Sequence, residues 1–229
     1  MRPDLVSLAP LLALWLIAAA PQSFVALGVQ CNSPAPDTAL KACTALLTSG
    51  QLESAARARV LVARAEAYGA RRSYDLALKD LDEAIKLAPT SAPIFVDRGN
   101  AYQSKADFSR AIEDYSQAIK LDPNAEEAYI QRASAYGSTR QYGRAIQDFH
   151  QALRLRPNDP ELLGNRGASY VMIGQFGLAI ADLDRAIKGR PDNAFFFYIR
   201  GVARQQMGDK SGGAADFAQA KKIDPKIGQ

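Results

Sequence analysis

Two ionisable residues recur at one fixed step along this sequence. Arg64, Arg98, Arg132, Arg166 and Arg200 are each 34 residues apart, and so are Asp80, Asp114, Asp148, Asp182 and Asp216. A row of guanidinium groups could hold an acidic ligand. A guanidinium beside a carboxylate could instead form a bidentate ion pair. Few other groups could do chemistry. Cys31 and Cys43 could form a disulfide. His150 is the one histidine, which falls short of the four ligands that zinc takes. No catalytic constellation, glycine-rich phosphate loop or metal-ligand spacing occurs. The chain therefore reads as non-catalytic, with no metal and no cofactor.

Composition narrows the partners. The 229 residues are 48% hydrophobic and 23% charged, with a formal net charge of +4. The basic excess is spread out, and Arg71-Arg72 and Lys221-Lys222 are its longest runs. Nucleic-acid binding needs clustered charge, so no nucleic-acid partner is expected. The start of the chain differs. Arg2 is followed by an apolar stretch, Leu5 to Ala20, broken only by Ser7 and Pro10. Its length suits a secretory signal and is short for a membrane span. A cut after Ala20 would leave Pro21 next, whereas a cut after Gly28, with Ala26 as the second small residue, fits better. Residues 1–28 are thus expected to be a signal peptide, the alternative being an uncleaved anchor through residues 5–20. Gln30 before Cys31 rules out lipidation. A secreted or periplasmic protein with no membrane contact after cleavage follows. In such an oxidising compartment Cys31 and Cys43 should pair. The bridge would tie an extended arm at Cys31 to a helix over about 37–47, and closing so short a loop is worth roughly 3 kcal/mol.

The elements that carry the arginines and aspartates are legible from the prolines. Pro89, Pro123, Pro157, Pro191 and Pro225 share the 34-residue step, which marks a solenoid. Five units result, at 58–91, 92–125, 126–159, 160–193 and 194–227, with proline at position 32 of each. Position 27 is always alanine, and position 20 is alanine four times and then Gly213. Position 11 is Tyr68, Tyr102, Tyr136 and Tyr170, then Arg204. Positions 4, 8 and 11 have helical spacing, as do 20, 24 and 27. Each unit is therefore two amphipathic helices joined near positions 15–16, and the proline stops the second.

The segment FVDRGNAYQSKADFSRAIEDYSQAIKLDP, residues 95–123, closely resembles the tetratricopeptide repeat. The resemblance spans 58–227. It implies an all-α, right-handed solenoid of five helix–turn–helix repeats, with a concave groove lined by the first helices. Such repeats mostly hold peptides or protein segments in that groove. It fixes no partner, because the scaffold is shared by many functions.

Helix geometry separates architecture from groove. With about 100° per residue, positions 2, 5, 9, 12 and 13 of the first helix share the groove side and position 7 points nearly opposite. The arginines at position 7 and the aspartates at position 23 lie at one height in the hairpin. They are expected to be structural ion pairs, within a repeat or between neighbours. The candidate binding residues are Val62, Glu66, Val96, Asn100, Gln103, Ile130, Ser134, Val171, Tyr198 and Gln205. Relatives that grip acidic tails carry lysine at position 5, where this chain has Val62, Val96, Ile130, Gly164 and Tyr198. The expected partner is a protein or peptide segment of neutral to apolar character.

Both ends need covering, since terminal repeats meet water. Ala39, Cys43 and Leu46 match positions 20, 24 and 27, so residues 29–57 read as an arm, one short capping helix and a linker. The fifth repeat turns polar, yet begins Phe195-Phe196-Phe197-Tyr198. Exposed aromatics there make a homodimer through that end, or an assembly role through end surfaces, the alternative to groove binding. Regulating an enzyme is a more distant one.

Overall fold

The computed structural model describes residues 24–228. The leader assigned to residues 1–28 lies almost wholly outside them, as does the possible anchor at 5–20. The described chain is all helix, with no strand: α1 (Phe24–Cys31), α2 (Pro36–Thr48), α3 (Ser54–Ala70), α4 (Tyr74–Leu87), α5 (Ala92–Ser104), α6 (Phe108–Leu121), α7 (Glu126–Ser138), α8 (Tyr142–Leu155), α9 (Pro160–Met172), α10 (Phe176–Gly189), α11 (Ala194–Gln206) and α12 (Lys210–Ile223). No described helix is long and apolar enough to cross a membrane.

From α3 onward the helices pair as hairpins, each packing on the next to make an all-α repeat solenoid. Every second helix ends at position 30, two residues before the proline. The turn inside each hairpin is equally regular. Arg72, Ala106, Arg140, Gly174 and Gly208, all at position 15, adopt left-handed backbone with φ of 57°, 59°, 60°, 75° and 88°. The next amide then reaches back to the carbonyl five residues earlier, as Ser73 does to Tyr68 at 2.9 Å. This pattern closes a helix and satisfies its orphan carbonyls. Glycine carries the left-handed turn without strain in only the last two repeats.

Side-chain size explains the close hairpin packing. The position-27 alanines are fully buried. Positions 8 and 24 face each other across the hairpin, with a small residue at 8 and a large one at 24 in every repeat. A Cβ on Gly99 would lie 2.5 Å from the Tyr115 ring, and one on Gly201 2.8 Å from the Phe217 ring. Ala133 can keep its methyl opposite Phe149. Large meets small in each repeat, which lets the two helices of a hairpin pack closely.

The N-terminal end departs from expectation. A single capping helix with an extended arm was expected, but α1 and α2 form a further hairpin, with Cys31 closing α1. Residues Asn32 to Ala35 are only its turn. Helix α1 was overlooked because its apolar sequence FVALGVQC merges with the leader. The linker is also short, since α3 already begins at Ser54. Cys31 and Cys43 are joined by a disulfide and buried with Ala42 and Leu46, against which Leu27 packs. A cut after Gly28 would divide α1 and remove Leu27.

At the other end the four adjacent aromatics have separate fates. Phe196 is 1% exposed and its ring lies where a Cβ of Gly164 would be, 2.1 Å away. Tyr198 packs on Phe217 with ring centroids 5.5 Å apart. The Arg200 guanidinium sits 5.5 Å from the Phe197 ring centre. Only Phe195 remains largely open, at 39%.

Candidate functional site

The position-7 arginines sit between helices. Each donates Nε and Nη2 to the two carboxylate oxygens of its own repeat's aspartate. For Arg132 and Asp148 both distances are 2.8 Å. The same fork joins Arg64 to Asp80, Arg98 to Asp114, Arg166 to Asp182 and Arg200 to Asp216. The five aspartates are only 3–5% exposed. In every pair the aspartate hydrogen bond is the largest influence on the arginine and pushes its pKa up, so the guanidinium stays charged.

The third donor, Nη1, crosses to the preceding repeat. Arg98 reaches Asp82 at 2.7 Å, Arg132 reaches Ser116 at 2.9 Å, and Arg200 reaches Asp184 at 2.6 Å. Arg64 reaches Thr44 of α2 at 3.2 Å, so the N-terminal hairpin is joined by the same device. Intra-repeat and inter-repeat pairing were alternatives on the sequence, and each arginine makes both contacts. The acceptor is position 25, whose residue type changes from repeat to repeat. Its signal was present: the arginine lies 16 residues after one partner and 16 before the other. His150 occupies this slot for Arg166 and meets it at 3.4 Å, a poor contact by hydrogen-bond standards. Replacing His150 with Asp should restore the carboxylate found in repeats one and four. Thermal unfolding should show a gain of about 1 kcal/mol, or ~2–4 °C.

The face opposite these pairs is open. Helix α3 touches α5, α5 touches α7 and α9 touches α11, whereas successive second helices make no comparable contact. First helices therefore form the inner wall. Two cavities open along it, each about 310 Å³. The first lies between repeats one and two, lined by Val62, Glu66 and Gly69 of α3, Tyr74 and Leu81 of α4, and Asp97, Asn100 and Ser104 of α5. The second lies between repeats three and four, where Ile130, Gln131, Ser134 and Gly137 of α7 face Phe149, Asn165 and Ser169. None of the five arginines lines either cavity.

Of the residues singled out on the sequence, Val62, Glu66, Asn100, Ile130 and Ser134 line these cavities. Val96 does not: it is 8% exposed and belongs to the core of the second repeat. Gln103 and Asn100 turn their carbonyl oxygens to the buried Tyr115 hydroxyl, which donates to Asn100 Oδ1 at 2.8 Å and meets Gln103 Oε1 at 3.4 Å. Burial pushes the Tyr115 phenol pKa up, which keeps it a donor. Val171 packs against the core of the fourth repeat. Tyr198 leans on Phe217, while Gln205 is exposed.

The omission was position 6. Asp97, Gln131 and Asn165 all line the groove, and positions 2, 6, 9 and 13 make an i, i+4, i+3, i+4 stripe on a helix. Asp97 changes the electrostatics. Burial in the groove wall, with the Glu66 carboxylate beside it, pushes its pKa from 3.8 up to about 6. The folded chain thus holds this proton more tightly than the unfolded chain. Stability falls as pH rises between these values and stays lower above them. Replacing Asp97 with Asn should stabilise by about 1–3 kcal/mol at pH 7.5 and by almost nothing near pH 4. Thermal melts at the two pH values check this.

Comparison with known proteins supports the same frame. Three tetratricopeptide-repeat models match the sequence, over residues 58–91, 99–139 and 130–194. The chain belongs to the tetratricopeptide-repeat family. Its solenoid is similar to several solved tetratricopeptide structures. One is YrrB, described as a protein with an unusual peptide-binding site (19% identity, TM-score 0.70, covering 82% of this chain and 95% of that one). Another is MamA of Desulfovibrio magneticus RS-1, residues 41 to the end (18%, TM-score 0.70, 76% and 98%). A third is the C-terminal part of a repeat protein from Cytophaga hutchinsonii (18%, TM-score 0.75, 87% and 78%). At these identities the likeness concerns the fold. No curated protein sequence matches the chain.

Proposed function

We propose that this tetratricopeptide chain is a non-catalytic scaffold that holds a segment of another protein along its inner groove. The observation that carries the reading is the division of labour between faces. The strongest polar groups join helices, while the opposite face offers two cavities that none of those arginines or aspartates lines. Open apolar grooves with a few polar groups suit an extended or helical segment. The peptide-binding site in the description of YrrB supports the same use of the fold. An oxidising, extracytoplasmic setting fits the buried Cys31–Cys43 disulfide and the apolar start of the sequence.

Assembly through the end surfaces is the competing reading. Phe195 favours it. Ala218, at position 25 of the last repeat, weighs against stacking by the same mechanism, because it offers no acceptor to a further arginine. Two substitutions separate the readings. Ser134→Trp should fill the second cavity and abolish co-purification of the partner from the native source. Phe195→Arg should leave it intact. The opposite pattern would favour the end surfaces.

A further inference from the structure

We infer that the cavity between the first and second repeats receives the side chain of a lysine or arginine from the partner segment. This rests on the groove reading above and sharpens it, because the segment was expected to be neutral to apolar. The cavity has an apolar floor, made by Val62, Tyr74 and Leu81, and a carboxylate on either wall, Glu66 on α3 and Asp97 on α5. A long side chain with a hydrocarbon stem and a cationic tip matches that combination.

Charge complementarity carries the choice. The aspartates on the other face are each matched by a bidentate arginine, so this sequence pairs its buried carboxylates as a rule. Asp97 breaks the rule: it is half-buried, no hydrogen-bond donor or cation meets its carboxylate among the described residues, and the charge that acts on it is the like charge of Glu66, exposed at the rim of the cavity. The chain as a whole is basic, at +4, so an unpaired acidic pair is no accident of composition. An apolar occupant would strip water from both carboxylates and return nothing, which is costly. A cation between them would restore the missing partner. A metal ion is a poor alternative, since the described residues hold no group of three or more ligating side chains. Asn100 lies beside the pair. Its carbonyl oxygen is taken by Tyr115, which leaves its amide N–H groups for a backbone carbonyl of the bound segment.

The test uses the full chain and four pools of fluorescein-labelled seven-residue peptides. The central residue is fixed as lysine, arginine, norleucine or glutamate, and the other positions are mixed. Fluorescence anisotropy at pH 7.5 reads the affinity for the wild type, for Glu66→Gln/Asp97→Asn, and for Ser134→Trp. The lysine and arginine pools should bind the wild type about tenfold or more tightly than the norleucine pool. Glu66→Gln/Asp97→Asn should bring the three to parity. Loss of fold does not explain that result, because removing the facing carboxylates should raise the melting temperature. Ser134→Trp should weaken all pools together. Equal lysine and norleucine affinities, unchanged in the double variant but weakened by Ser134→Trp, would overturn the cation pocket and leave the groove standing. If no pool binds, or none responds to Ser134→Trp, the groove reading falls with it.

Discussion

Replacing Arg132 with Ala should destabilise the protein by about 3–5 kcal/mol, the usual cost of leaving one member of a buried ion pair without its partner. The magnitude follows from what remains. Asp148 keeps a carboxylate that is 5% exposed and has lost two charge-assisted hydrogen bonds. Ser116 of the preceding repeat loses its donor, and the Tyr129 and Tyr136 rings lose the cation they flank. Arg132 lies in the middle repeat, so one deletion loosens both a hairpin and the interface before it. In a solenoid whose stability is a sum of repeats and nearest-neighbour interfaces, both terms fall. The melting temperature should drop by about 10 °C or more. Affinity per folded molecule for a groove ligand should not change, because Arg132 lines neither cavity. Arg132→Lys should recover little, since an ammonium cannot reproduce the planar fork. Replacing both Arg132 and Asp148 with apolar residues of similar volume should recover much more. An Arg132→Ala variant that melts like the wild type but binds poorly would reverse the assignment of the two faces.

Replacing Phe196 with Ala should cost a comparable ~3–5 kcal/mol, as expected for deleting a fully buried aromatic ring. The effect should be local. The ring is pressed against the bare backbone of Gly164 and, with Ile199 and Ala203, joins the fifth repeat to the core of the fourth. No described hairpin follows the fifth repeat to share its load. Hydrogen exchange should therefore show α11 and α12 losing protection first, while α3 to α8 exchange as in the wild type. Gly164→Ala should act in the same direction to a smaller extent, because the added methyl would force the ring to move. Uniform loss of protection along the whole array would contradict the nearest-neighbour account.

The regular part of this molecule was legible because the repeat reports each position five times. Proline at position 32, alanine at 27 and the arginine–aspartate spacing set helix ends, close contacts and pairing. What escaped was whatever varies between copies. Position 25 reads Asp82, Ser116, His150, Asp184 and Ala218, and only the shared ability of four of these to accept a hydrogen bond unites them. Position 6, with Asp97, Gln131 and Asn165, varied likewise and was left out of the groove. Val96 failed for a different reason. Position 5 lines a cavity where its neighbours leave room, as at Val62 and Ile130, but Tyr115 fills the second repeat from beneath and draws Val96 into the core. Helix α1 was hidden by composition, since a short apolar helix such as FVALGVQC cannot be told from the end of an apolar leader by hydrophobicity alone.

The division between a bonded face and a receptive face is the central claim, and site-specific photocrosslinking tests it most directly. A benzophenone side chain would be placed at Ser138, exposed at position 13 of the groove stripe and outside the second cavity, at Glu113 on the exposed side of α6, and at Phe195 on the last repeat, one position per sample, in the full chain in its native setting. The account predicts one partner protein crosslinked from Ser138 and none from Glu113 or Phe195, with the Ser138 adduct lost when excess peptide from that partner is added. A crosslink from Glu113 or Phe195 with none from Ser138 would contradict it.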